Sequence, residues 1–131
     1  MFKFFSNYKI IFYTVNFSLI FLYLYPGSLL GQVIYGNKKI QPQITPDYII
    51  SSNHFYVFVL VSIIGFFSFQ KESQIKILII YLIMLSFGLE FLHLIIPERS
   101  FQWSDLFGNL FGVTVVILIW NLINSYDFFK K

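Results

Sequence analysis

Four long apolar runs divide the chain, each bounded by polar or helix-breaking residues. They cover about 8–25, 54–69, 76–96 and 104–123; the first stops at Pro26-Gly27 and the third at Pro97. A helix that crosses the hydrocarbon core of a bilayer needs about 20 mostly apolar residues, with a range of about 17 to 25. The pattern therefore predicts an all-α, polytopic membrane protein with four transmembrane helices over those ranges. Proline lacks the amide donor that a helix interior needs, so Pro26 and Pro97 are physical stops. The run from His54 to Phe69 is the shortest. Ser51-Ser52-Asn53 can be drawn into it in a thin bilayer, which favours a span over a half-inserted hairpin. Lys3 and Lys9 give the first run the look of a secretory leader, but Leu22-Tyr23-Leu24-Tyr25 offers no small-x-small cleavage site, and the reading is an uncleaved span.

The longest connection, 26–53, holds three of the four prolines together with Gly27, Gly31 and Gly36. It reads as an ordered, irregular outer loop with a short interfacial helix near Asp47-Tyr48-Ile49-Ile50. There is no internal repeat and no low-complexity linker, so 1–131 reads as one transmembrane domain.

Composition strengthens this picture. Hydrophobic residues make up 57% of the chain and charged residues 11%, where a soluble domain carries roughly a quarter charged residues. Such a chain cannot cover a water-soluble globule with polar surface, so membrane lipid is its first partner. The net charge of +3 comes from basic residues spread in ones and twos, which excludes a nucleic-acid footprint. The absence of cysteine excludes disulfides, thiolate metal sites, a thiol nucleophile and a lipoprotein anchor. Lys3, Lys9, Lys71, Lys76, Lys130 and Lys131 fall on one side of the four-span topology, and Lys38, Lys39 and Arg99 on the other. Six against three predicts both termini in the cytoplasm, in a multi-pass protein of the cytoplasmic (inner) membrane.

Mapped onto this topology, the polar residues collect at the outer face. Glu90 and His93 lie near the outer end of the third run, Glu98 and Arg99 in the following turn, Asp105 and Asn109 at the start of the fourth run, and His54 at the start of the second. Glu90 lies about 9 Å below the outer helix end at 1.5 Å per residue. An ionised carboxylate turned to lipid would cost on the order of 2.5–3.5 kcal/mol near the bilayer centre. Glu90 is therefore expected to face the bundle and to pair with Arg99, the single arginine. Glu90, Arg99, Asp105 and Asn109 are expected to converge on one outward-facing cluster, with His54 lining it. Ser104, Gly108 and Gly112 form a small-xxx-small series that lets another helix approach closely. Ser104 is a candidate N-cap, and Asp105 in the first turn complements the helix dipole. The candidate acid–base residues are Glu90, His93 and Asp105, and the candidate binding residues are Arg99, Asn109, His54, Glu90 and Asp105. His54, Glu90, His93 and Asp105 are suitable ligand types, but no spacing such as His-Glu-x-x-His is present. A metal site and a cofactor are therefore not predicted. There is also no phosphate-binding glycine loop and no nucleophile elbow.

Several of these residues resemble the signature of the VanZ-like family, small four-helix membrane proteins named for a protein of glycopeptide antibiotic resistance. The family pattern runs from a helix Glu to Pro-Gly-Arg, then Ser and Asp, then Asn and Gly one and two turns on. In this chain it corresponds to Glu90, Pro97-Glu98-Arg99-Ser100, Ser104-Asp105, Asn109 and Gly112. Tyr25-Pro26-Gly27 resembles the close of the family's first helix, and His54-Phe55 its His-Phe motif. The chain departs from the pattern at Ile50-Ser51, where the family has Asp-Lys, at His93, where a Gln is common, and at Glu98, which stands for Gly. The resemblance implies a cell-envelope setting. Two functions are expected from the outer cluster. In the first it binds a lipid headgroup, a lipid-linked envelope precursor or a membrane protein partner, with Arg99 on the anion and Asn109 and His54 orienting it. In the second the chain is an intramembrane enzyme on a lipid-linked or cell-wall substrate, with Glu90 or His93 as acid or base and Arg99 on developing negative charge. Whether there is a reaction stays open at this point.

Overall fold

The computed structural model of the chain describes residues 2–129. It consists of five helices, α1 (Phe2–Leu24), α2 (Leu29–Tyr35), α3 (Ser52–Ser68), α4 (Glu72–Leu92) and α5 (Trp103–Phe129), with no strand among the described residues. Lys130 and Lys131, two of the lysines behind the expected orientation, lie outside that range.

The bundle turns a largely apolar surface outward and buries several polar groups within its hydrophobic core. Its outer surface carries Phe17 and Phe21 on α1, Leu60 and Phe67 on α3, Ile77, Ile80 and Met84 on α4, and Phe111, Leu118 and Leu122 on α5. Its interior buries Ser62, Ser86, Glu90, His93 and Asn109. Water would reverse that arrangement, whereas lipid solvates such an exterior and forces polar groups to satisfy one another inside. Length and composition agree in part with the sequence expectation. Glu72–Leu92 and Trp103–Tyr126 are each long and apolar enough to cross a membrane. The α1–α2 pair passes as a single broken span bent by 81°, and α3, with 17 residues, is shorter than a full span. Two helices, or three with the bent pair, thus meet that standard among the described residues. They mark the chain as a membrane protein.

Helix α3 sits at the centre and touches α1, α4 and α5. Its Phe58, Val61 and Phe66 are fully enclosed, with Leu82 of α4 and Val113 of α5. The closest approach is between α3 and α5, which run in the same direction. A Cβ on Gly108 would lie 2.7 Å from the Ser51 carbonyl oxygen, and one on Gly112 would lie 2.7 Å from that of Phe55. Those glycines let the two backbones meet, which is the contact that the small-residue series predicts.

Several element boundaries differ from the sequence expectation, α4 starting at Glu72 and α5 running on to Phe129 among them. The short helix of the long loop is α2 and not 47–50, where the chain only bends. Local chemistry explains the shift: Ser28 caps α2 by accepting from the Gly31 amide at 2.9 Å, and Gly36 ends it in the left-handed conformation. Asp47 is engaged elsewhere, its Oδ1 accepting from the Ser52 amide at 2.8 Å at the start of α3. Helix α4 ends at Leu92, before Ile96, because its last turn tightens: the amides of His93, Leu94 and Ile95 donate to the carbonyls of Glu90, Phe91 and Leu92. Helix α1 starts before Tyr8, at Phe2.

Candidate functional site

At one end of the bundle the last turns of α1 and α4 meet the first turns of α3 and α5. Asn109 of α5 is the hub. Its Oδ1 accepts from the Tyr23 hydroxyl at 3.0 Å and lies 3.0 Å from Nδ1 of His54, while its Nδ2 donates to the Ser86 carbonyl at 3.3 Å. One fully buried amide therefore joins α1, α3, α4 and α5. Because a carbonyl oxygen only accepts, the amide orientation is set by Ser86, and His54 presents its Nδ1–H to Asn109. The other ring nitrogen, Nε2, lies 3.6 Å from Oδ2 of Asp105. His54 and Asp105 keep 15% and 17% of their side chains exposed, the accessible edge of an otherwise enclosed cluster.

Glu90 is buried beneath this layer. Its Oε1 accepts from the Gln102 amide at 2.9 Å and lies 3.4 Å from Nδ1 of His93, one turn on. The second ring nitrogen of His93 donates to the Tyr23 carbonyl at 2.9 Å. Since that carbonyl can only accept, the proton of a neutral His93 resides on Nε2.

The expected ion pair between Glu90 and Arg99 is not formed. Arg99 turns to α1, donating from Nε to the Tyr25 carbonyl at 3.0 Å and from Nη2 to the Leu22 carbonyl at 2.9 Å. The cause is the stop at Pro26: helix α1 ends with carbonyls that lack intrahelical donors, and a guanidinium supplies donors and a charge that suits the negative helix end. Burial pulls the Arg99 pKa below the ordinary arginine value, against the opposing pull of Tyr23, Asp105 and Glu90. Glu90, Asp105, Asn109 and Arg99 otherwise share one end of the bundle, with His54 of α3 beside them, as the sequence expectation has it.

Sequence reading missed two contributors. Tyr23 counts as one more apolar residue of the first run, yet it supplies a hydroxyl and a carbonyl to the cluster. Gln102 contributes only its backbone amide, which no side-chain motif reports. Glu98, standing where the resembled family has glycine, adopts φ 62° and pairs with Lys38 at 3.1 Å. The positive φ is the physical reason a glycine suits that position.

Two clefts open at this end. One, of about 470 Å³, is bordered by His54, Asp105, Arg99 and Gln102 together with Leu19, Leu22 and Leu29. The other, of about 440 Å³, is bordered by Lys38, Lys39, Glu98, Arg99, Ser100 and His93. Arg99, Gln102, Asp105, Ser28 and Gln41 border both, and Glu90 borders neither. The first cleft thus combines an apolar flank on α1 and α2 with polar groups, and the second sets Lys38, Lys39 and Arg99 beside Glu98 and Asp105, with Lys38 paired to Glu98. Comparison with protein-family models, with curated proteins and with solved structures finds no match for this chain.

Proposed function

We propose that this chain is a VanZ-like, multi-pass protein of the cytoplasmic membrane whose outer end binds the anionic headgroup of a membrane lipid or lipid-linked envelope precursor. In this reading α1, α3, α4 and α5 all span, with both termini in the cytoplasm. Helix α2, which exposes Leu30, Val33, Ile34 and Tyr35, lies along the outer interface. The observation that carries the reading is the placement of Lys38, Lys39 and Arg99 around one cleft, beside a second cleft with an apolar flank. Phosphate meets the cations and an acyl or prenyl chain meets Leu19, Leu22 and Leu29. Among the described residues Nη1 of Arg99 makes no hydrogen bond to protein, so its N–H groups remain to bind an anion. Binding is favoured over acid–base catalysis by Glu90 because that carboxylate is enclosed and borders neither cleft.

Native mass spectrometry of the protein released from nanodiscs tests the proposal. Phosphatidylglycerol or a polyprenyl phosphate is expected to stay bound in preference to phosphatidylcholine, and K38Q/K39Q is expected to lose the preference. Equal retention of all three lipids by the unaltered protein would overturn it. The orientation has its own test in this cysteine-free chain. Single cysteines at Lys38 and Lys130 are expected to react with an impermeant reagent from opposite sides of the membrane, and labelling of both from outside would overturn the four-span topology.

A further inference from the structure

We infer that His54, Glu90 and Asp105 form a binding site for a divalent first-row cation, with zinc the best fit. One potential ligand atom from each of the three lies within 4.8 Å of the other two. They come from three different helices, α3, α4 and α5, so no local spacing in the sequence assembles them. The inference goes beyond the headgroup reading and does not rest on it.

Hydrogen-bond accounting carries the argument. Nδ1–H of His54 is committed to Asn109, whose own orientation is set by Tyr23 and Ser86. A metal-binding histidine is held in the same way, with one ring nitrogen donating to a fixed acceptor so that the other presents its lone pair. In His54 that lone pair points across 3.6 Å at a carboxylate oxygen of Asp105. Two lone pairs facing each other require something positive between them. A proton would satisfy that pair alone. It would leave Oε2 of Glu90, which is fully buried and has no hydrogen-bond partner, as an orphaned acceptor in a lipid-surrounded bundle. Such an orphan costs several kcal/mol in a medium without water. A divalent ion answers all three groups at once and offsets the two carboxylate charges.

The donor set selects the metal. Imidazole and carboxylate are both ligand types that zinc accepts, three protein ligands leave a fourth position open, and the set is too poor in oxygen for calcium. Zinc holds such donors at about 2.0–2.2 Å, which places them roughly 3.3 Å apart in a tetrahedron. The His54–Asp105 separation of 3.6 Å is close to that value. The Glu90 oxygen has to close a gap of under about 1.5 Å, which a side-chain rotation covers. His54 and Asp105 border the larger cleft, which provides the path for the ion and an open fourth position for water.

The test uses the full chain without a histidine tag, purified in detergent and stripped with a chelator. Calorimetric titration with Zn²⁺ is expected to show one saturable site per chain. His54→Ala and Asp105→Asn should each weaken it by roughly tenfold or more, while Glu72→Gln, at the far end of α4, should not. X-ray absorption of the zinc-loaded unaltered protein is expected to show one imidazole among oxygen neighbours, a readout that needs no variant to fold. The inference is overturned by the absence of saturable binding, by unchanged affinity in both variants, or by a shell with no imidazole.

Discussion

The two ends of this bundle are held by different chemistry. At one end Tyr23, His54, His93 and Asn109 are joined by directional hydrogen bonds around a buried amide, and Glu90, 3.4 Å from His93, accepts from the Gln102 amide. At the other, Phe12 meets Phe69 edge-on with ring centres 5.2 Å apart, Phe66 packs on Trp120 at 5.2 Å, and Lys9 lies over the Phe69 ring. The glycines follow the same division. Gly108 and Gly112 are pressed against backbone oxygens of α3, whereas a Cβ on Gly65 would meet only the side-chain ends of Leu78 and Phe12, at 3.0–3.1 Å. In lipid, burial of apolar groups supplies little drive for helices to associate, because the surroundings are equally apolar. The aromatic end therefore depends on shape and tolerates adjustment. The polar end is specific, because each group there has partners that cannot be exchanged for lipid.

The largest expected effect belongs to the aromatic end. Phe66→Ala removes an enclosed ring and should cost on the order of 2–3 kcal/mol, the cavity and packing share of a core truncation, since the transfer share is small in lipid, read as a lowered unfolding midpoint in detergent. Phe66→Leu should recover much of it. If Phe66→Leu is as damaging as the alanine, that end is as exacting as the polar one and the contrast fails. The glycines come next. Gly112→Ala should destabilise by roughly 1–3 kcal/mol, since a backbone carbonyl cannot step aside. Gly65→Ala should cost less, under about 1 kcal/mol, because leucine and phenylalanine side chains can turn away. Equal melting temperatures for the two variants would contradict the division.

A double-mutant cycle sharpens the polar end. Glu90→Gln and His93→Gln should show a coupling of about 0.5–3 kcal/mol, as expected for groups in contact. Glu90→Gln with Arg99→Gln should come closer to additive, because Arg99 is bonded to the carbonyls of α1 and not to Glu90. A larger coupling in the arginine cycle would restore the ion pair that the sequence suggests. The smallest effect concerns the turn. Glu98→Gly loses a half-exposed ion pair worth at most about 1 kcal/mol and relieves a left-handed residue that costs roughly 1–2 kcal/mol. The variant should be unchanged or slightly more stable, and a clear loss of stability would assign the Lys38 contact more weight than its exposure allows.

What the sequence alone determined is what depends on local composition and period. The apolar runs, their proline stops, the helical class and the small-residue contact at Gly108 and Gly112 were all legible, because each follows from neighbours along one helix. So was the collection of Glu90, Asp105, Asn109 and Arg99 at one end, since an antiparallel hairpin with a short turn brings them together, while His54 joins them because its run starts at the same face. Pairing was not legible. The nearest cation in sequence to Glu90 is Arg99, but the orphaned carbonyls of α1 took the guanidinium, and Glu90 was left to His93 and a backbone amide. The hub at Asn109 depends on a tyrosine 86 positions away and a histidine 55 away. Only the crossing of four helices sets those distances. Hydrogen bonding is directional over about 3 Å, while sequence pattern locates a side chain only to a face of a helix.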